Sequence, residues 1–201
     1  MTKEESLKKL YDTPVNWSSI SSFRWNKENW FRNFILGERA TSPEMTFGSY
    51  IDKKIQNDPN FMPKLPRFEM MQHHMKVVFN GLTLMGTPDG INIKKNKMLI
   101  DYKTGVKEWN KKRAEEHGQL LMYLLLIYIT MKIRPEEFDC YIYWLPTKKE
   151  EDGNFDIKVS LISETDFKTF KCKHTMTEIL KFGTYIKETF KEMEEYIKNM
   201  A

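Results

Sequence analysis

Gly86-Thr87-Pro88-Asp89-Gly90 and, after eight intervening residues, Leu99-Ile100-Asp101-Tyr102-Lys103-Thr104 are the segments on which the reading of the fold turns. Two short apolar runs, Leu82–Met85 and Met98–Ile100, flank a turn-like Lys94-Lys95-Asn96-Lys97, so the segment is expected to form a β-hairpin. Asp89 falls on or just past the first strand. Asp101 and Lys103 fall on the second, two residues apart, so their side chains leave the same face. Two carboxylates gathered beside one ammonium repel each other. A divalent hard cation, which takes oxygen ligands, relieves that repulsion and leaves the lysine free to steady an anion. Such a set suits phosphodiester hydrolysis.

Asp-x-Lys alone is weak evidence in a chain with 30% charged residues, and other copies occur, among them Asp156-Ile157-Lys158 and Asp166-Phe167-Lys168. Neither follows a strand that bears a second carboxylate, and both read as solvated faces. The copy at Asp101 has Gly86-x-x-Asp89 before it and a helix with a polar pair after it. From Ala114 to Met131, Leu120, Leu121, Leu124, Leu125, Ile127, Tyr128 and Ile129 cover most of the helix circumference, which predicts a buried helix. Gln119 and Tyr123 are four apart and share one face of it. Taken alone, the pair also reads as a helix start and a core tyrosine.

Gly86-x-x-Asp89, Asp101-Tyr102-Lys103-Thr104 and Gln119-x-x-x-Tyr123, in the order strand, strand, helix, resemble the RecB-like branch of the PD-(D/E)XK nuclease superfamily. The resemblance implies an α/β, restriction-endonuclease-like core with a mixed β-sheet flanked by helices. It implies that Asp89 and Asp101 bind Mg²⁺ or Mn²⁺, with the Tyr102 carbonyl completing the protein ligands. Lys103 would orient the attacking water or stabilise transition-state charge, and Gln119 and Tyr123 would shape the site and approach the DNA backbone. Trp17-Ser18-Ser19-Ile20-Ser21-Ser22-Phe23 is similar to the serine-rich helix entry of these domains, and Phe47–Ile55 to their Gly-x-x-x-His helix. Here Asp52 stands at the histidine position. It is expected either to ligate the cation or to sit solvated beside Lys53 and Lys54.

Other polar residues are weaker candidates. His73 and His74, adjacent on an expected strand 68–79, point to opposite faces and cannot pair on zinc; a surface role suits them better. Glu69 could approach the metal cluster. Basic residues gather at Lys94-Lys95-x-Lys97 and at Lys107, Lys111, Lys112 and Arg113. The second group leads into the Gln119 helix and is the candidate phosphate contact, although a solvated surface accounts for either equally well. Trp17, Phe23, Trp25, Trp30, Phe31 and Phe34 crowd the N-terminal part. Most should pack internally, leaving one or two rings that could stack on unpaired bases.

At 201 residues and 40% hydrophobic, the chain can bury one substantial core. A single nuclease-like domain, 1–201, is expected, with a helical part at 1–60, a catalytic core at 61–163 and a C-terminal helix at 164–200. No run of eighteen apolar residues predicts a membrane span. The charged start, without an apolar stretch, indicates no signal peptide and points to the cytoplasm, the host's if the gene is a phage's. Cys140 and Cys172 read as reduced thiols, too few for the four-cysteine iron–sulfur cluster of some RecB-like nucleases. Net charge +4 permits nucleic-acid binding without requiring it. Periodicity predicts helices at 18–36, 44–57 and 110–132. It predicts strands near 68–79, 82–91, 97–104, 138–145 and 155–163, the last two joined by a turn at Asp152-Gly153, and a final helix bent or broken at Gly183.

The leading expectation is a Mg²⁺- or Mn²⁺-dependent deoxyribonuclease, with exonuclease action in recombination, repair or phage DNA processing preferred by resemblance. A catalytically silent DNA-binding or scaffold protein of the same fold and a structure-specific endonuclease are the alternatives. No Gly-x-x-x-x-Gly-Lys loop is present, so any unwinding would fall to a helicase or recombination partner.

Overall fold

The computed structural model describes residues 1–39, 41–66, 68–94, 96–151 and 157–200. In chain order these form α1 (Lys3–Asp12), α2 (Trp17–Trp25), α3 (Lys27–Trp30) running into a π-helical turn (Phe31–Leu36), and α4 (Pro43–Asn57). Strands β1 (Met70–Met71), β2 (Met75–Phe79), β3 (Leu82–Gly86), β4 (Gly90–Asn92) and β5 (Met98–Gly105) come next. Then come α5 (Lys111–Glu115), α6 (Gly118–Met131), a 3₁₀ turn (Pro135–Glu137), β6 (Asp139–Glu151), β7 (Ile157–Leu161), β8 (Lys168–Cys172) and α7 (Met176–Lys198).

The expected mixed sheet flanked by helices is present. Its order is β1-β4-β5-β6-β7, with β8 also paired to β6. β4–β5 is antiparallel and β5–β6 parallel. A parallel neighbour needs a crossover, and α5 with α6 supplies it. β2 and β3 form a separate antiparallel pair. Its turn is Asn80-Gly81, both at positive φ (49° and 81°), the residues that a tight hairpin with right-handed strand twist favours.

That turn corrects the expected hairpin between Leu82–Met85 and Met98–Ile100. β3 is tied back to β2, Pro88 has no N–H to continue a ladder, and the partner of β5 is the short β4. The strand expected at 68–79 is likewise two, with Gln72 at φ 49° between them. At Gly90 a Cβ would meet Phe68 Cγ at 2.7 Å and Ile100 Cγ1 at 2.9 Å, so only glycine admits this close crossing.

The long helices are also interrupted. Asn26 is extended (φ −156°, ψ 109°) and accepts the Asn29 N–H, so the helix expected at 18–36 is cut there. His117, at ψ 101°, divides the helix expected at 110–132. The segment 164–200 is not one helix: Lys168–Cys172 is a strand on β6, and α7 begins at Thr175, whose side chain forms a capping box with Glu178. Gly183 does not break α7, which runs unbroken from Met176 to Lys198. Its missing Cβ makes room for the Phe79 ring, which would otherwise lie 2.8 Å away. The turn expected at Asp152-Gly153 lies outside the described residues.

Alternation along β5 divides the interior. Leu99 joins a core with α2, α6 and α7, while Ile100 and Tyr102 join a second core with Ile51 and Ile55 of α4. Asp101 and Lys103 therefore emerge on the α6 side. α4 closes on the other end of β5, where a Cβ on Gly48 would touch Thr104 Oγ1 at 3.3 Å. Cys140 and Cys172 are free, buried and opposite each other on β6 and β8. No helix among the described residues is long and apolar enough to cross a membrane.

Candidate active site

The β4–β5 ladder pairs Gly90 with Ile100, and β1–β4 pairs Met71 with Gly90. One further step of the same register lines up Gln72, Asp89 and Asp101 across three chain segments. The Tyr102 N–H donates to Asp89 Oδ2 at 2.6 Å, and Gln72 Nε2 donates to Asp89 Oδ1 at 2.7 Å. Asp89 is thus fixed across from Asp101 by two donors, one of them backbone. Both carboxylates are buried, Asp89 at 8% and Asp101 at 1% exposure.

Lys103 answers part of their charge. Its Nζ lies 2.6 Å from Asp101 Oδ2 and donates to Gln119 Oε1 at 2.8 Å. Gln119 Nε2 in turn donates to the Tyr123 hydroxyl, and His117 Nε2 lies 3.3 Å from Gln119 Oε1 and 3.7 Å from Asp101 Oδ2. The expected pair on α6 therefore does face β5. It can do so because α6 starts afresh at Gly118, where any side chain would strike the Trp17 ring.

The electrostatics follow from this crowding. Burial, reinforced by the charge of Asp101, pushes the Asp89 carboxyl well above the ordinary carboxylate range. Burial acts on Asp101 in the same direction, but the Lys103 ammonium and His117 outweigh it and hold this carboxyl low. Lys103 is held above its usual range, because Asp101 and Asp89 overcome its desolvation. Tyr123 is raised by burial and by both aspartates, so it remains a neutral hydroxyl. Asp52, on α4, belongs to the same field: burial pushes it up to about 6, opposed by Lys103 and assisted by Asp101. Asp52, Lys103 and Gln119 line a cleft of about 680 Å³, together with Ser18, Lys107 and Arg113.

Three carboxylates against one ammonium leave an excess of negative charge, and Asp101 Oδ1 is buried without a hydrogen bond from any described residue. Such hard, under-compensated oxygens fit a divalent cation. Among the described residues no three His, Cys, Asp or Glu side chains already converge on one ion position.

The remaining candidates fall less centrally. Tyr102 turns its ring into the second core, and its backbone serves Asp89. Lys111 and Lys112 pair with Glu115 and Glu116 at 3.7 and 3.8 Å on the exposed side of α5, and they do not line the cleft with Lys107 and Arg113. Arg113 lies over the Trp109 ring at 4.0 Å. Glu69 turns away to the Ile93 N–H, so it does not join the carboxylates, and His74 pairs with Thr87 as a surface histidine. Asp166 bonds with Thr165, and Lys168 meets exposed Glu108, so this Asp-x-Lys copy is a solvated face. Lys158 is exposed, and Asp156 lies outside the described residues. Gln72 and His117 escaped the sequence reading: the first sat inside an expected strand and the second inside an expected helix. The His117-Gly118 step was the available sign of a helix restart.

The sequence profile of the PD-(D/E)XK nuclease superfamily matches residues 20–201. Among solved structures, the chain is similar to a candidate exonuclease from Eubacterium rectale, with a TM-score of 0.54 and 11% identity over 92% of this chain and 82% of that one. It is also similar to the protein SSO0001, with a TM-score of 0.48 and 10% identity over 96% of this chain and 87% of that one. Among curated proteins, none matches the chain in sequence. The profile runs through Asp52, Asp89, Asp101, Lys103, Gln119 and Tyr123, and the chain belongs to the PD-(D/E)XK nuclease superfamily.

Proposed function

We propose that this nuclease-superfamily chain is a RecB-like, divalent-metal-dependent deoxyribonuclease acting as an exonuclease, built as one domain over 1–201. The observation that carries the reading is the Asp89–Asp101–Lys103 row, two buried carboxylates and an ammonium, in which Asp89 accepts from Gln72 and the Tyr102 N–H while Lys103 lies against Asp101 and donates to Gln119. Asp89 and Asp101, with the Tyr102 carbonyl implied by the resemblance and Asp52 from α4, would hold Mg²⁺ or Mn²⁺. When bound, such an ion polarises a phosphoryl oxygen and acidifies water.

This chain's own residues supply the rest. Gln72 and the Tyr102 N–H keep Asp89 aimed, which limits reorganisation when a substrate arrives. Lys103 is anchored at 2.6 Å from Asp101 and 2.8 Å from Gln119, with a side chain 25% exposed towards the cleft. It is a preorganised cation for the charge that grows on phosphoryl oxygens. The neutral Tyr123 hydroxyl and His117 hold Gln119, and so Lys103, in place. Lys107 and Arg113, on the cleft wall, are the phosphate contacts that give sequence-independent affinity.

The exonuclease preference is supported by the resemblance to RecB-like nucleases. Linear and circular DNA, single- and double-stranded, incubated with Mg²⁺, Mn²⁺ or a chelator, tests it. Loss of linear DNA alone is expected. Nicked circles would point to an endonuclease, and retardation without cleavage to a silent binding protein.

A further inference from the structure

Five tryptophans occur in the chain, and four are wholly or largely covered. Trp25 is the exception, 90% exposed at the last turn of α2. An indole carries one of the largest apolar surfaces a residue can offer, so leaving one in water needs a reason. The face of α2 beneath it is small and polar. Ile20 and Phe23 point into the core, whereas Ser18, Ser21, Ser22 and Trp25 share the opposite side at helical spacing.

That side forms the floor of a groove of about 510 Å³. Ser18 and Met45 line both this groove and the active-site cleft, so the two are continuous. Seven residues of helix separate Ser18 from Trp25, about 10 Å. The other wall carries Arg39, its guanidinium 5.8 Å from the centre of the Phe34 ring. No carboxylate lines the groove among the described residues. A channel that leaves a phosphodiesterase cleft with hydroxyls along its floor, a cation on its wall and an indole at its end has the make-up of a strand track.

We propose that this groove holds an unpaired nucleic-acid segment continuous with the strand in the cleft, with one base stacked on Trp25. The inference deepens the nuclease reading and rests on it. Single-strandedness follows from the ring: a flat exposed indole needs the face of a base, and in a duplex those faces are covered by neighbouring bases. Every base has such a face, so the contact is indifferent to sequence.

The test uses the full chain in chelator, with a labelled short oligothymidylate and a blunt duplex as probes. Trp25→Ala should weaken oligothymidylate binding roughly 5- to 150-fold, the range for loss of one base–aromatic stack, and weaken duplex binding far less. Trp25→Phe should restore most of the affinity, and Val78→Ala, an exposed apolar truncation on the two-stranded sheet, should not alter it. Acrylamide quenching of the wild-type tryptophan emission should fall when oligothymidylate is added. Equal affinities for wild type and Trp25→Ala, equal losses on duplex and single strand, or unchanged quenching would each overturn the proposal. So would a drop in sedimentation mass in Trp25→Ala, which would mean that a second copy covers the ring. Cleavage by wild type with no Trp25 effect defeats the groove and leaves the nuclease reading standing. Trp25-dependent binding with no cleavage in Mg²⁺ or Mn²⁺ supports the groove and defeats the nuclease.

Discussion

Asp52→Asn should stabilise the metal-free protein and, on the proposed function, impair cleavage, because this buried carboxylate sits in the field of Asp101 with Lys103 opposing it. In the folded chain Asp52 titrates near 6, displaced upward first by burial and then by Asp101, against 3.8 for an ordinary aspartate. Its folded-state value is raised, so the native state binds the proton more tightly than the unfolded chain does. The native state therefore loses stability as pH rises from about 3.8 to about 6. The penalty is fully developed above that window and absent below it. Two pH units correspond to about 3 kcal/mol, and partial access to water reduces this to about 1–3 kcal/mol. Asparagine keeps the volume and removes the charge. For a chain of this size the midpoint of thermal unfolding should rise by roughly 2–12 °C at pH 8 in chelator. The gain should shrink as pH is lowered through the window. In excess Mg²⁺ the two proteins should converge or reverse order, because only the aspartate gains from the ion's charge. Thermal and urea unfolding across pH, with and without metal, measure all of this. A variant that is neutral or less stable at pH 8 in chelator would refute the reasoning and return Asp52 to a solvated surface.

Other perturbations probe different parts of the molecule. Lys103→Met keeps the stem and deletes the charge, so the rate of cleavage should fall by roughly 10²–10³ while metal binding persists; Lys158→Met and Lys168→Met should cut at near wild-type rates. Asp101→Asn should abolish metal-dependent cleavage, and calorimetric titration with Mn²⁺ should show the lost site directly. Gly118→Ala would drive a methyl into the Trp17 ring and shift the start of α6, with a stability cost of about 1–3 kcal/mol and a further loss of activity through Gln119, read by urea unfolding alongside kinetics. His174 is almost fully buried, with no hydrogen bond from either ring nitrogen to any described residue and Glu178 Oε1 3.8 Å away. Burial holds it below its usual 6.5 despite Glu178, so the unfolded chain takes up the proton first and stability should decline as pH falls below about 6.5. His174→Phe should flatten that part of the pH–stability curve.

Local chemistry made part of this protein legible from its residues. Asp101 and Lys103 share a face because strand geometry alternates with a period of two, and no tertiary fact was needed to say so. Gln119 and Tyr123 share a face for the corresponding helical reason. The mixed sheet was implied by the resemblance, and the apolar α6 was likewise written in periodicity. The pairing of strands was not. β3 leaves β5 and returns to β2 because Asn80-Gly81 closes a tight turn and Pro88 breaks the ladder, and the choice between two apolar partners rests on those few residues. β8 is a short strand of mixed polarity, Lys168-Thr169-Phe170-Lys171-Cys172, and only the waiting edge of β6 makes it one. Gln72 reaches Asp89 through a positive φ that a glutamine sequence does not announce, and His117 reaches Asp101 because α6 restarts against Trp17. The sequence by itself determined which charges would be available and which would lie side by side on one element. Tertiary structure alone decided which segments come together to bury them, since that choice is set by close approach at Gly90 and Gly118 and by competition among strand edges, both of which act between residues far apart in the chain.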